Sequence, residues 1–287
     1  MGDQSKGLLI TAIGVLFVVP DSLFVRLIIA EPLVTTFWRS IVAGLLILLI
    51  VISNDGINAF RQVFLAGKLG VLFMIFIGST APGFVLAVNN TSVANVVFIF
   101  AAIPLFTSFF SYFFLSEMIQ RRILITSIFV VLGLGIIAYG SGQSGNSSWK
   151  GDLWALYVAI VYAGGLTILR KLKNFSMVPG VSIAYLASGF LIWLFCSPMD
   201  DFSSNWYLFL GHGSFIGIAT CLLTIGPRFI SSTEVALLVL LESVLAPVLV
   251  WLVVGEYPGE WTLYGGAIVL LSLLVSNAIS LYRERYH

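Results

Sequence analysis

Charge is scarce in this chain: of 287 residues, 14 are Lys or Arg and 13 are Asp or Glu, 9% in all. No polar stretch approaches the roughly 100 residues that a soluble domain usually needs, so a separate catalytic head is excluded and any function is built between apolar segments. Cysteine is nearly absent too. Cys196 and Cys221 fall near opposite faces of the topology derived below, too far apart for a disulfide. CxxC, HExxH, GxSxG and Walker-type loops are all missing. Metal, hydrolase and nucleotide chemistry therefore lack support, and no cofactor, bound metal or nucleic-acid partner is expected.

What the chain does have is apolar surface. Hydrophobic residues make up 59% of it and the mean hydropathy is +1.06, the composition of a polytopic membrane protein surrounded by lipid. Dividing it at its polar punctuation leaves ten apolar segments: 7–29, 33–53, 67–88, 91–115, 121–141, 151–171, 179–197, 204–225, 233–254 and 261–282. Each is close to the roughly 20 residues that cross a bilayer. The first is too long for a signal-peptide core and reads as a retained span.

The Lys/Arg bias orients them. With the N-terminus cytoplasmic, Lys6, Arg61, Lys68, Arg121, Arg122, Arg170, Lys171, Lys173, Arg228, Arg283 and Arg285 lie inside, against Arg26 and Lys150 outside. A bacterial-type plasma membrane location with both termini cytoplasmic follows.

The chain also repeats itself. KGLLITAIGVLFVVPDSLFVRL from Lys6 aligns with KGDLWALYVAIVYAGGLTILRKL from Lys150, setting Arg26 on Arg170. Thr91–Glu117 aligns with Ile230–Glu256, and both segments end in an acid just past a span. Two units result, 1–144 and 145–287, of five spans each. An odd number of spans inverts the second unit relative to the first, the recurrent build of secondary transporters with a midplane site.

NNTSVANVVFIFAAIPLFTSFFSYFFLSE, RFISSTEVALLVLLESVLAPVLVWLVVGE and WRSIVAGLLIL resemble the EamA family of the drug/metabolite transporter superfamily over nearly the whole chain. The resemblance implies an all-α integral membrane fold of ten helices in two inverted five-helix repeats. It also implies a cavity open to one side at a time, and transport, often export, of small metabolites such as amino acids. The first span departs from the family, with Val18, Val19, Pro20 and Asp21 where members often carry Trp-Gly-x-Asn.

Ionisable residues at bilayer depth are expensive and mark candidate sites. Asp21 and Arg39 fall at similar depth on adjacent spans, roughly 10 Å below the outer edge at about 1.5 Å per residue. They are placed to meet, as a structural ion pair or as substrate ligands. Pro20 removes a backbone donor beside Asp21 and favours a kinked or broken helix there. His212, between Gly211 and Gly213, reads as a packing histidine or a proton relay. Glu242 lies mid-span opposite the apolar Ile103 in the repeat alignment, so the scaffold does not require it, whereas Ser231 and Glu234 form a capping box. Glu242 is therefore the leading candidate for substrate contact and proton coupling.

Tyr162, Tyr185 and Trp38 are further lining candidates, and Asn95, Ser92, Ser79 and Thr80 read as helix-to-helix hydrogen-bonders. Trp149, Trp154, Trp206, Trp261 and Tyr264 read as interfacial anchors. Gly133, Gly135, Gly265 and Gly266 permit close helix approach within a monomer or across a homodimer.

The expected function is alternating-access transport, as an exporter, of a small polar metabolite. An amino-acid-like zwitterion would set its carboxylate on Arg39 and its ammonium on Glu242. The alternatives are an organic cation or drug-like amine held by Glu242 and Tyr162, and an integral-membrane enzyme, for which no nucleophile or metal cluster is visible.

Overall fold

A computed structural model describes residues 3–116, 118, 121–142, 148–172, 175–199, 201–226, 229–230 and 232–286. The regular structure among them is helical. Helix α1 (Asp3–Val18) and the short α2 (Asp21–Leu27) together make the first membrane-length segment. They are separated at Val19 and Pro20, as proline chemistry demands. Pro32 opens α3 (Pro32–Asp55), where its missing N–H costs nothing. A 3-10 turn (Ile57–Ala59) and α4 (Phe60–Leu65) lead to α5 (Gly67–Asn90).

The fourth apolar segment, expected as one continuous span, is divided into α6 (Val93–Phe100) and α7 (Ile103–Leu115). Pro104 lies in the first turn of α7 and supplies no N–H for a continuing ladder, while the amide of Ala102 turns to the carbonyl of Ile99 at 3.1 Å. The remaining helices are α8 (Arg121–Ser141), α9 (Trp149–Lys171), α10 (Val178–Trp193), α11 (Phe202–Ile225), α12 (Ser232–Val254) and α13 (Glu260–Tyr286).

Among the described residues, eight segments are long and apolar enough to cross a membrane, and two apolar stretches, Val178–Trp193 and Leu238–Val254, are shorter. The segment expected at 179–197 ends early because the helix gives way to turns after Trp193. The capping box at Ser231 and Glu234 lies outside the described residues and side chains.

The packing repeats as the sequence does. Helix α5 packs on α9 and α1 on α11; α3 packs on α11 and α10 on α5; α6 meets α12, α3 meets α10, and α8 meets α13. Exchanging each helix for its repeat mate maps this set of pairings onto itself. Connectors collect at two ends. At one, Asn205 Nδ2 donates to Ile29 O at 3.1 Å and Ser148 N to Asn90 O at 3.1 Å. At the other, Ser176 N donates to Gln62 Oε1 at 2.7 Å and Lys6 stands 5.2 Å above the Phe229 ring. Trp149, Trp154, Trp206, Trp261 and Tyr264 present their rings outward, 39–62% exposed, as anchors in lipid headgroups do.

Helices α8 and α13 touch backbone to backbone. A Cβ on Gly133 would stand 2.7 Å from the carbonyl oxygen of Gly265, and Gly266 lies under the Phe98 ring, whereas Gly135 faces open space. Three of the four glycines thus serve contacts within the subunit. Gly133→Leu is expected to cost about 1–3 kcal/mol through overpacking, visible as a lowered Tm in detergent, and Gly135→Ala to leave Tm unchanged or slightly higher.

Candidate functional site

Asp21, Arg39 and His212 converge between α2, α3 and α11. Arg39 Nε donates to Asp21 Oδ1 at 3.0 Å and Nη2 to Oδ2 at 2.8 Å, a two-pronged pair with both residues 5% exposed. This planar fork is the geometry that distinguishes arginine from lysine as a carboxylate partner. His212, fully buried, places Nε2 2.5 Å from the same Oδ1. As a neutral ring it carries its proton on Nε2 in order to donate there.

The glycines beside His212 explain how it reaches this position. A Cβ on Gly213 would press within 2.7 Å of Val42 on α3, and one on Gly211 would stand 3.1 Å from the Phe24 ring on α2. Bare backbone at both places lets α11 close on α2 and α3. Phe24 then stacks on the imidazole, centroids 5.4 Å apart and planes 15° from parallel. The rings of Phe84 and Tyr185 lie 5.3 and 5.9 Å from the guanidinium carbon, so the cation meets two π faces as well as its carboxylate. Among the described residues, two buried atoms in the cluster have no partner within hydrogen-bond length, Arg39 Nη1 and His212 Nδ1, although the Tyr185 hydroxyl lies in electrostatic range of the guanidinium.

Glu242 lies at the middle of α12, one helical turn before the buried Ala246, and is itself partly buried. Its carboxylate lies within Coulombic range of Asp21 and of the Tyr162 hydroxyl, and Tyr162 in turn of Tyr185. Among the described residues it has no hydrogen bond and no ion pair. Asp21, Arg39, His212, Tyr185, Tyr162 and Glu242 therefore form one electrostatic neighbourhood across both halves of the chain. Trp38 does not share these polar contacts: its Nε1 donates to Pro198 O at 2.9 Å, and its ring packs on Phe202 and Phe209 at 4.4 and 5.9 Å. It holds a connector in place. Cys196 and Cys221 are both free thiols.

The profile of the EamA-like transporter family matches residues 5–139 and, a second time, 149–278. The chain belongs to the EamA-like transporter family. It is a multi-pass membrane protein of a transporter family, within the drug/metabolite transporter superfamily, and its two repeats are two copies of the EamA unit. No curated protein matches it. A solved structure, titled only as the crystal structure of a protein, is 17% identical and covers 99% of either chain with a TM-score of 0.68, which establishes the common fold.

The two EamA units are stitched together at one end by polar contacts. Asn95 Nδ2 donates to Ser141 Oγ at 2.6 Å, and lies 3.1 Å from both Thr91 Oγ1 and Asp152 Oδ1. Its Oδ1 accepts from Thr262 Oγ1 at 2.6 Å, and Thr91 Oγ1 donates to Asp152 Oδ1 at 2.7 Å. One amide thereby touches α8, α9 and α13. Ser92 caps α6 through Asn95 N, and Ser79 and Thr80 bond within α5 to Phe76 O and Ile77 O. Asn95→Leu, leaving Thr262, Ser141 and Asp152 short of partners in a buried EamA core, is expected to cost about 2–4 kcal/mol, read as a fall in Tm. Sequence reasoning marked Asn95 as a hydrogen-bonder. It missed its partners, because Ser141, Asp152 and Thr262 are between 46 and 167 residues away.

Proposed function

We propose that this chain is a ten-span, inverted-repeat secondary transporter that carries a small organic molecule bearing an ammonium group by alternating access. In this reading both termini are cytoplasmic, transport is outward, and the protein acts as a monomer or homodimer. The observation that carries the reading is the carboxylate of Glu242, mid-helix, partly buried and without a protein partner among the described residues. An ionisable side chain at that depth is costly and marks a functional site by default. With Asp21 and Arg39 cancelling each other, ionising Glu242 would leave the centre one uncompensated negative charge. A monocation would neutralise it, with the Tyr162 hydroxyl in the same electrostatic neighbourhood.

The zwitterion reading requires a free guanidinium, and two of its donors are already taken by Asp21. What favours it as a second reading is Arg39 Nη1, buried and without a hydrogen-bond partner among the described residues. Competition in proteoliposomes separates the two. Primary amines and quaternary ammonium ions are expected to compete for uptake while organic acids do not. Strong competition by neutral amino acids, with none by simple amines, would favour the zwitterion, and competition by organic acids alone would remove both readings.

A further inference from the structure

Helix α2 holds two charged residues that face two different partners. Asp21 at its start is bound to Arg39 and His212, and Arg26 in its last turn, about 7.5 Å further along at 1.5 Å per residue, is bound to the other half of the chain. Arg26 Nε lies 2.6 Å from Glu256 Oε2, a charge contact whose N–H is not aligned as a hydrogen bond, and Arg26 Nη2 donates to Thr91 O at 2.8 Å. The second oxygen of Glu256 accepts from Val93 N at 2.7 Å, at the start of α6. Glu256 follows directly on α12, the helix that carries Glu242. Beneath the pair, Val93, Ala94, Pro247, Val250 and Pro258 meet Glu256 in a seam with no room for a water molecule.

The flanks of α2 are joints. On one side Val19 and Pro20 interrupt the helix, and on the other Ile28 is extended, with φ −78° and ψ 114°. A seven-residue segment between a proline interruption, where the backbone stays near-helical, and an extended residue can turn as a unit, because backbone rotation is absorbed at its ends.

We infer that Arg26 and Glu256 form a latch that pins α2 across the two halves and shuts this end of the bundle, and that the end opens when the ion pair parts and α2 swings on its joints. The pair is suited to that duty. Both side chains are 22% exposed, so water can replace each partner when they separate, whereas the buried Asp21–Arg39 pair has no such substitute. The latch rests on the transporter reading for its purpose, but its test uses no substrate.

In a Cys196→Ser, Cys221→Ser background, Val250→Cys places a reporter thiol in the seam, where Val250 is 1% exposed. A membrane-impermeant maleimide reports access to it. Glu256→Gln keeps an acceptor for Val93 N and removes the charge; Arg26→Gln removes the other partner. Each is expected to raise the labelling rate at least fivefold, and Arg26→Lys to hold it within twofold of the background. Ala43→Cys, fully buried in the seam between α3 and α11, is the control for general loosening and is expected to label no faster. Unchanged labelling of Val250→Cys in both Gln variants overturns the latch. So does a parallel rise at Ala43→Cys, or an equal rise with Arg26→Lys.

Discussion

Asp21→Asn is expected to destabilise the folded protein by about 3–5 kcal/mol, the cost of stranding one member of a buried ion pair. At roughly 2–4 °C per kcal/mol, that is a fall of about 6–20 °C in Tm. The substitution preserves shape, so the loss is electrostatic. Arg39 would keep its positive charge at 5% exposure with one polar but uncharged acceptor in place of a bidentate carboxylate, and its Nη1 already lacks a partner. His212 loses its charged acceptor at the same time. The companion variant separates pair energy from stranded charge. Asp21→Asn combined with Arg39→Gln removes both charges and is expected to recover more than half of the lost Tm. A double variant no more stable than Asp21→Asn alone would show that the cluster is held by packing on Phe24, Phe84 and Tyr185, with charge a minor contributor.

Glu242→Gln is expected to have the opposite profile: transport of an ammonium substrate falls at least tenfold while Tm stays level or rises. The substitution removes no hydrogen bond and no ion pair among the described residues, so the fold loses nothing that the structure displays. A tenfold loss corresponds to about 1.4 kcal/mol, a modest demand on a charge contact at low dielectric. Glu242→Asp, which keeps the charge on a stem one methylene shorter, is expected to retain partial transport with a raised KM. The two readouts must diverge for the proposal to hold. If Glu242→Gln transports amines at the wild-type rate, the carboxylate is no part of the binding site; if Tm falls steeply, Glu242 is a structural residue.

The fold was legible in the sequence because hydropathy and repetition are local properties. Runs of apolar residues, punctuated by turns, located the helices, and two pairs of matching stretches, one setting Arg26 on Arg170 and the other ending in Glu117 and Glu256, revealed the duplicated plan. The Pro20 break followed from proline chemistry at a charged position. Equivalent chemistry at Pro104 was passed over, since two alanines and a phenylalanine-rich stretch around it gave no polar sign of an interruption. Depth counting brought Asp21 to Arg39 correctly, because they sit on consecutive helices joined by a short turn. It gave no sign that His212, 191 residues beyond Asp21, would share that carboxylate.

The glycines flanking His212 were visible, but what they make room for depends on which helices become neighbours, which periodicity does not specify. The same limit hid the Arg26–Glu256 contact. The repeat alignment recognised Glu256 as part of the architecture by its match to Glu117, without showing which residue it would meet.

The division of charge between hairpin and lone helix also bears on how the chain enters the bilayer. Asp21 and Arg39 lie on successive segments, so the first two helices to leave the ribosome can insert as a neutral pair, each charge cancelled before any later helix exists. His212 reaches them only when α11 has been made. Glu242 arrives near the end of synthesis with no cation of its own, in a helix whose neighbours α1, α2 and α6 are by then already in the membrane. Glu242, proposed here to bind the cargo, thus enters the membrane after those three neighbours of its helix.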